Sequence, residues 1–196
     1  MNALVSREAP QQRPYRHGDL PNAMRSAARA ILDEGGPEAV GLRETARRVG
    51  VSATAAYRHF ASKEDLLASV AGEGFAELRT LMEQAGGDRP PLVARGLAYV
   101  DFAMRKRGMF RLMFGTVMIE RAKYPALDEA ARAVFDLLKD AASGQRPASD
   151  ANLGEVGGWA LVHGLASLAI DGLLSEAESR SIAETLLGRA ASKTVN

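Results

Sequence analysis

The sequence predicts an all-α protein, built as a small N-terminal helical unit joined to a larger helical one. Three observations carry that expectation. Apolar residues recur at spacings of three and four through most of the chain, and the alternation of a strand persists nowhere. Glycine and proline clusters, above all AGGDRPP at 85–91, cut the periodic stretches into segments of helical length. Capping residues stand at several of the cuts, so about nine helices are expected.

Residues 1–18 hold Pro10, Pro14 and two glutamines but no periodicity, and read as a disordered basic arm. Arg7, Arg13, Arg16 and His17 are available there to touch something acidic. From 19 to 34, Leu20, Met24, Ala27, Ala28, Ile31 and Leu32 line one helix face. Asp19 and Pro21 suit its start and Gly35-Gly36 its end. A short helix follows from about Leu42 to Val49, with Leu42, Ala46 and Val49 inward and Arg43, Arg47 and Arg48 outward. A third opens at Ser52, and a fourth at Ser62, where Ser62 and Asp65 form an Asp variant of the capping box. That fourth helix runs on to Met82, and Gly72 and Gly74 predict a bend in it.

Beyond the linker, apolar helical patterns cover 92–106, 108–118 and 126–142. Gln145 to Asp150 is a second break. A largely apolar segment then spans 153–174, and an amphipathic helix near 176–191 opens on the capping box Ser175-Glu-Ala-Glu178. The expected units are 1–18, 19–72 and 73–196.

The absence of cysteine excludes disulfides and thiolate zinc sites and suits a cytoplasmic protein. No apolar run approaches the ~20 residues of a membrane helix. No cofactor is implied and no membrane partner. Net charge is +1, but its distribution is uneven. Residues 1–63 carry ten Arg and Lys against six Asp and Glu, a surplus of four, so the remainder carries three net negative charges. Positive charge gathered at one end is the footprint of a DNA-binding module.

The stretch VGVSATAAYRHF at 49–60 says where that module would act. Two short helices meeting at Gly50 are a helix-turn-helix arrangement. Ala46 is small at the crossing, Gly50 permits the turn, Val49 and Val51 plug the corner, and Ser52 caps the second helix. In such a unit the N-terminal end of the second helix enters the major groove. Ala53, Thr54, Ala55 and Ala56 let it seat deeply, and Thr54 or an alanine methyl can meet a thymine methyl. Tyr57, His59 and Lys63 lie where they would reach phosphates. Arg47 and Arg58 stay open between guanine and phosphate, and Phe60 turns inward.

LRETARRVGVSATAAYRHFASKEDLLASV (42–70) closely resembles the DNA-binding domain of the TetR family of bacterial transcriptional regulators. The likeness covers about 15–72, with Gly50, Val51, Tyr57, Phe60, Lys63 and Leu66 in register. It implies phosphate contacts at Thr45, Tyr57, His59 and Lys63, and a base-reading surface at or near Ala53, Thr54 and Arg58. It also implies a homodimer on palindromic double-stranded DNA, with a C-terminal domain that binds a small-molecule effector and dimerises. Trp159, His163 and Gly164, with FRLMFG at 110–115, resemble a C-terminal subtype of the family marked by Trp, His and Gly.

The residues of that C-terminal part carry their own expectations. Phe102, Phe110, Met113, Phe114 and Met118 form a Met/Phe stripe that suits an adaptable ligand lining or plain core. Trp159 and His163 share a helix face, and His163 either contacts a ligand or satisfies a buried carbonyl. The segment 153–174 and the last helix offer more apolar surface than a small domain buries. That points to a partner through Gly158, Leu165, Ile182 and Leu186.

The leading expectation is a ligand-released homodimeric repressor. An activator stands beside it, because operator position decides between the two, and so does a module that docks protein. An enzyme lacks a constellation. The three histidines (His17, His59, His163) are far apart, and HExxH, GxSxG and a glycine-rich phosphate loop are all absent.

Overall fold

The structure, a computed structural model, describes residues 19–143 and 151–192. The expectations for the arm at 1–18 and the break at 145–150 therefore lie outside the described residues. Among the described residues there is no strand, and ten α-helices and one 3-10 turn account for most of the chain. The tenth helix, relative to the nine expected, is a single turn.

The N-terminal unit follows its caps. Helix α1 (Leu20–Ala39) opens on Asp19, whose carboxylate accepts the Asn22 N–H at 3.2 Å. Regular helix ends at Gly36, whose φ of 76° is left-handed. Helix α2 (Leu42–Val49) closes in a Schellman motif at Gly50, which sits at φ 79°. The Gly50 N–H donates to the Arg47 carbonyl at 3.2 Å and the Val51 N–H to the Ala46 carbonyl at 3.0 Å. Ser52 then caps α3 (Ala53–Tyr57) by accepting the Ala55 N–H at 3.2 Å. Helix α3 is only five residues long, so Arg58 and His59 follow it in a turn that delivers Phe60 to the core.

Helix α4 (Lys63–Gln84) starts at Ser62, whose hydroxyl accepts the Asp65 N–H at 3.2 Å. The shorter Asp65 carboxylate takes the Ala61 N–H, at 3.0 Å, instead of closing the box on Ser62 itself. Helix α4 runs without a break through Gly72 and Gly74. A Cβ on Gly74 would lie 2.7 Å from the sulfurs of both Met109 and Met113, so glycine here admits neighbours and α4 continues.

The larger unit comprises α5 (Pro91–Arg105), α6 (Arg107–Met113), α7 (Thr116–Ile119), a 3-10 turn (Arg121–Lys123), α8 (Pro125–Ser143), α9 (Ala151–Ile170) and α10 (Glu176–Ser192). Two expected spans are corrected. The pattern at 108–118 is two helices, because Gly115 turns extended after its N–H donates to the Leu112 carbonyl at 3.3 Å. The pattern at 153–174 stops at Ile170, where left-handed Gly172 closes a second Schellman motif through Leu173 and the Leu168 carbonyl, at 2.9 Å. Leu173 and Leu174 lie beyond the helix. Ser175 and Glu178 make the full capping box of α10, with reciprocal bonds of 2.8 and 3.2 Å.

Helices α4 and α5 are the centre. Helix α4 packs against α8, α5, α6 and α1, and α5 against α9, α10 and α8. One hydrophobic core runs through both units. The N-terminal unit is seated on the larger one where α1 crosses α6: a Cβ on Gly108 would lie 2.6 Å from the Leu32 carbonyl oxygen. Arg25 and Arg29 of α1 pair with Glu73, and Arg29 also with Glu77, across the α1–α4 seam. Such partly exposed pairs are each worth at most about 1 kcal/mol, and their value is in fixing register.

Candidate nucleic-acid interface and effector cavity

The corner of α2 and α3 presents a contiguous surface. Ala56 and Phe60 face the core, while Thr54, Tyr57, Arg58 and His59 are exposed and Ala53 is half-buried. Tyr57 is half exposed although aromatic, which is unusual for a side chain with a core beneath it. Lys63 stands at the start of α4 beside this surface, its ammonium donating to the Glu38 carbonyl at 3.3 Å.

Two basic residues are already committed. Arg47 holds both Glu44 carboxylate oxygens at 2.8 Å, and Arg48 bridges Glu34 and Glu44. The Arg47 and Arg48 guanidiniums hold the Glu44 carboxyl down at about 2. Arg47 would have to exchange that partner for a phosphate or base. Thr45 is corrected outright: it is fully buried, and its hydroxyl donates to the Gly41 carbonyl at 2.8 Å, leaving nothing for a phosphate.

The second site is a cavity of about 510 Å³ between α6–α7, α8 and α9, lined by Phe114, Met118, Phe135, Val156, Trp159 and His163. Arg121, Asp136 and Lys139 supply its charges. The volume suits a small organic molecule. Of the residues expected here, Phe114, Met118, Trp159 and His163 are brought together. Phe102, Phe110 and Met113 do not line it: all three are buried core, Phe110 lying against the His163 ring from within.

The aromatic wall is ordered by mutual packing. The His163 ring stacks on Trp159 at 5.3 Å and on Phe110 at 5.4 Å, and Phe114 meets it edge-on at 4.6 Å. Phe135 meets Trp159 edge-on at 5.2 Å. His163 satisfies no carbonyl; its Nδ1 lies 2.9 Å from the Tyr99 hydroxyl. Burial lowers the His163 pKa below its ordinary 6.5, so the ring is neutral at pH 7. Burial pushes the Tyr99 hydroxyl well above the phenol range, with the Trp159 indole opposing. The Trp159 Nε1 is itself buried and has no hydrogen-bond partner among the described residues. Asp171 pairs with Arg111 at 3.0 Å and has no part in the His163 site.

The two sites are neighbours through one short segment. Met118 and Arg121 line the cavity, while Lys123 and Tyr124 line a hollow of about 340 Å³ against His59, Phe60 and Asp65. Arg121 is anchored to Asp128 at 2.9 Å, which fixes the 3-10 turn to α8.

Of the expected partner-facing residues, Leu186 is exposed on α10 and Ile182 half-buried beside it. Leu165 is corrected, being buried in the chain's own core; Gly158 is half-buried, and a Cβ there would lie 3.8 Å from the Leu92 side chain of α5. The large apolar side chains left exposed there are Val156, Leu168 and Leu173. Gly157 and Gly164 share the Leu168 side of α9, with open space where a Cβ would stand.

A corner that presents Thr54, Tyr57, Arg58 and His59, joined to a helical body with an aromatic cavity, defines a helix-turn-helix regulator. A family model for the tetracycline repressor-like C-terminal domain matches residues 92–190, and one for the bacterial regulatory proteins of the tetR family matches 25–70. The chain belongs to the TetR family of bacterial DNA-binding transcriptional regulators.

Solved structures agree in fold. A protein of unknown function from Rhodococcus sp. RHA1 is 28% identical with a TM-score of 0.74, over 92% of this chain and 99% of that one. The TetR-family regulator PfmR from Thermus thermophilus is 17% identical with a TM-score of 0.62, over 86% and 96%. The fatty acid degradation regulator FadR from Bacillus halodurans is 14% identical with a TM-score of 0.65, over 90% and 97%. No curated protein matches the chain significantly. Among the described residues, no helix is long and apolar enough to cross a membrane.

Proposed function

We propose that this regulator is a cytoplasmic homodimeric repressor, without enzymatic activity, that leaves a palindromic operator when a small molecule occupies the cavity. The observation that carries the reading is the segment 118–124. One end lines the cavity and the other lines a hollow shared with His59 and Phe60, just after the reading helix. A ligand that resets Met118 and Arg121 would thereby shift the segment facing His59 and Phe60, the residues that follow α3. Release follows from its differential affinity for the two arrangements.

Dimerisation is supported by Val156, Leu168, Leu173 and Leu186, apolar residues that one chain leaves in water. Pairing α9 and α10 with their copies covers them, and the two-fold axis sets two recognition helices over two half-sites. Base reading then rests on Ala53, Thr54 and Arg58, and phosphate contact on Tyr57, His59 and Lys63.

The test is fluorescence anisotropy with DNA flanking the protein's own gene against a scrambled duplex, over a salt series, with and without a compound that raises the melting temperature. Specific, steeply salt-dependent binding that the compound abolishes is the expected result. A stabilising compound that leaves DNA binding intact would sink the release mechanism.

A further inference from the structure

The cavity wall carries a hydrogen-bond chain whose direction can be worked out. Tyr99 is fully buried, and among the described residues the one hydrogen bond its hydroxyl makes is the 2.9 Å contact with His163 Nδ1. If Nδ1 carried the proton and donated, the phenol hydrogen would be buried without an acceptor, at a cost of about 1–3 kcal/mol. If the phenol donates instead, its hydrogen is used, and its oxygen stays open to the Trp159 indole, which can only donate. The second arrangement wins. The neutrality of His163 and the protonated state of Tyr99 agree with it.

A neutral imidazole that accepts at Nδ1 carries its proton on Nε2. That atom points away from Tyr99, and among the described residues it has no hydrogen-bond partner. The ring cannot swing to find one, being stacked between Trp159 and Phe110. The cavity thus offers a fixed N–H donor among aromatic faces. Its rim carries Asp136, Lys139 and Arg121, the last already paired with Asp128.

We infer that the cavity selects a planar aromatic molecule bearing a carbonyl oxygen, which accepts from the Nε2–H of His163, with Tyr99 as the positioning residue that keeps that proton on Nε2. The inference rests on the reading of this cavity as the effector site.

The test uses the full chain and three probes of matched shape: acetylnaphthalene, isopropenylnaphthalene (a methylene in place of the oxygen) and naphthyltrimethylammonium. Calorimetric titration should find the ketone bound about tenfold more tightly than the olefin, the worth of one hydrogen bond from a preset donor. His163→Phe, which keeps the stacked ring, should level the two. Imidazole nitrogen NMR should show His163 as the Nε2–H tautomer in the native chain and a mixture in Tyr99→Phe, with the ketone preference reduced severalfold. Equal affinity for ketone and olefin overturns the acceptor claim while leaving the cavity a binding site. Preference for the ammonium probe overturns it in favour of Asp136. An Nδ1–H tautomer in the native chain overturns the role of Tyr99 whatever the variants do. Should no probe bind, the effector reading of the cavity falls together with the inference.

Discussion

The reading corner and the cavity are built on opposite plans. The corner is contiguous: Ala46 to Phe60 supply the turn, the cap, the anchor and the exposed surface, and its exposed side chains hold up nothing beneath them. The cavity is assembled from α6 to α9, and its wall is also core: Phe114 packs on Phe75 at 5.4 Å and on Phe110 at 4.7 Å while facing the opening. Function and stability are separable in the first region and joined in the second. A regulator built this way can change its DNA sequence preference cheaply, whereas each change of ligand costs stability.

That contrast is measurable. Phe114→Ala should lower unfolding free energy by about 3 kcal/mol, at the low end for a phenylalanine because the side chain is only half-buried. Urea denaturation reads it, and a loss below about 1 kcal/mol would break the claim that the cavity wall is structural. Gly50→Val, in the left-handed turn, should cost about 1–2 kcal/mol, with Gly50→Asn recovering part of it. It is the exception inside the corner, since the turn holds α3 in place. Tyr57→Ala with Lys63→Ala should leave the urea midpoint where it was and weaken every duplex about tenfold, lowering the salt slope by about one. Unchanged DNA affinity would mean that another face meets the DNA.

The smallest effect concerns pH. The His163 pKa is lowered in the fold, so the unfolded chain binds the proton more readily, and stability is lost as pH falls below about 6.5. Half exposure keeps the loss small. Thermal melts at pH 7 and pH 5 should converge in His163→Phe, and an unchanged pH dependence would assign it to another group.

The same contrast explains what could be read from sequence. The corner was legible because turn, cap and anchor lie within a few residues and each has a local physical signature. Thr45 as a phosphate contact comes from the resemblance alone, and a family likeness does not show whether that short side chain faces solvent or folds back on the carbonyl four residues earlier. In the cavity, periodicity marks Phe102, Phe110 and Met113 as apolar but cannot say which neighbour each apolar face meets. Arg121, Asp136, Lys139 and Val156 left no signal, since each joins the site only through packing between helices. Phe135 did leave one: the core stripe of α8 is Leu127, Ala131, Val134 and Leu138, and a phenylalanine one step off that stripe needs another partner. The end of α9 went unread because Leu173 and Leu174 continue the apolar run past a glycine that closes the helix.

The chain has one tryptophan, and it stands in the cavity wall. Its indole lies against His163 on one side and Phe135 on the other. The molecule therefore carries its own optical gauge. Emission and near-ultraviolet dichroism from that ring report one place only, undiluted by any other indole. A change in them on adding a compound marks arrival at the wall, and a change on adding DNA alone would mark the reverse traffic, from the reading helix back to the cavity.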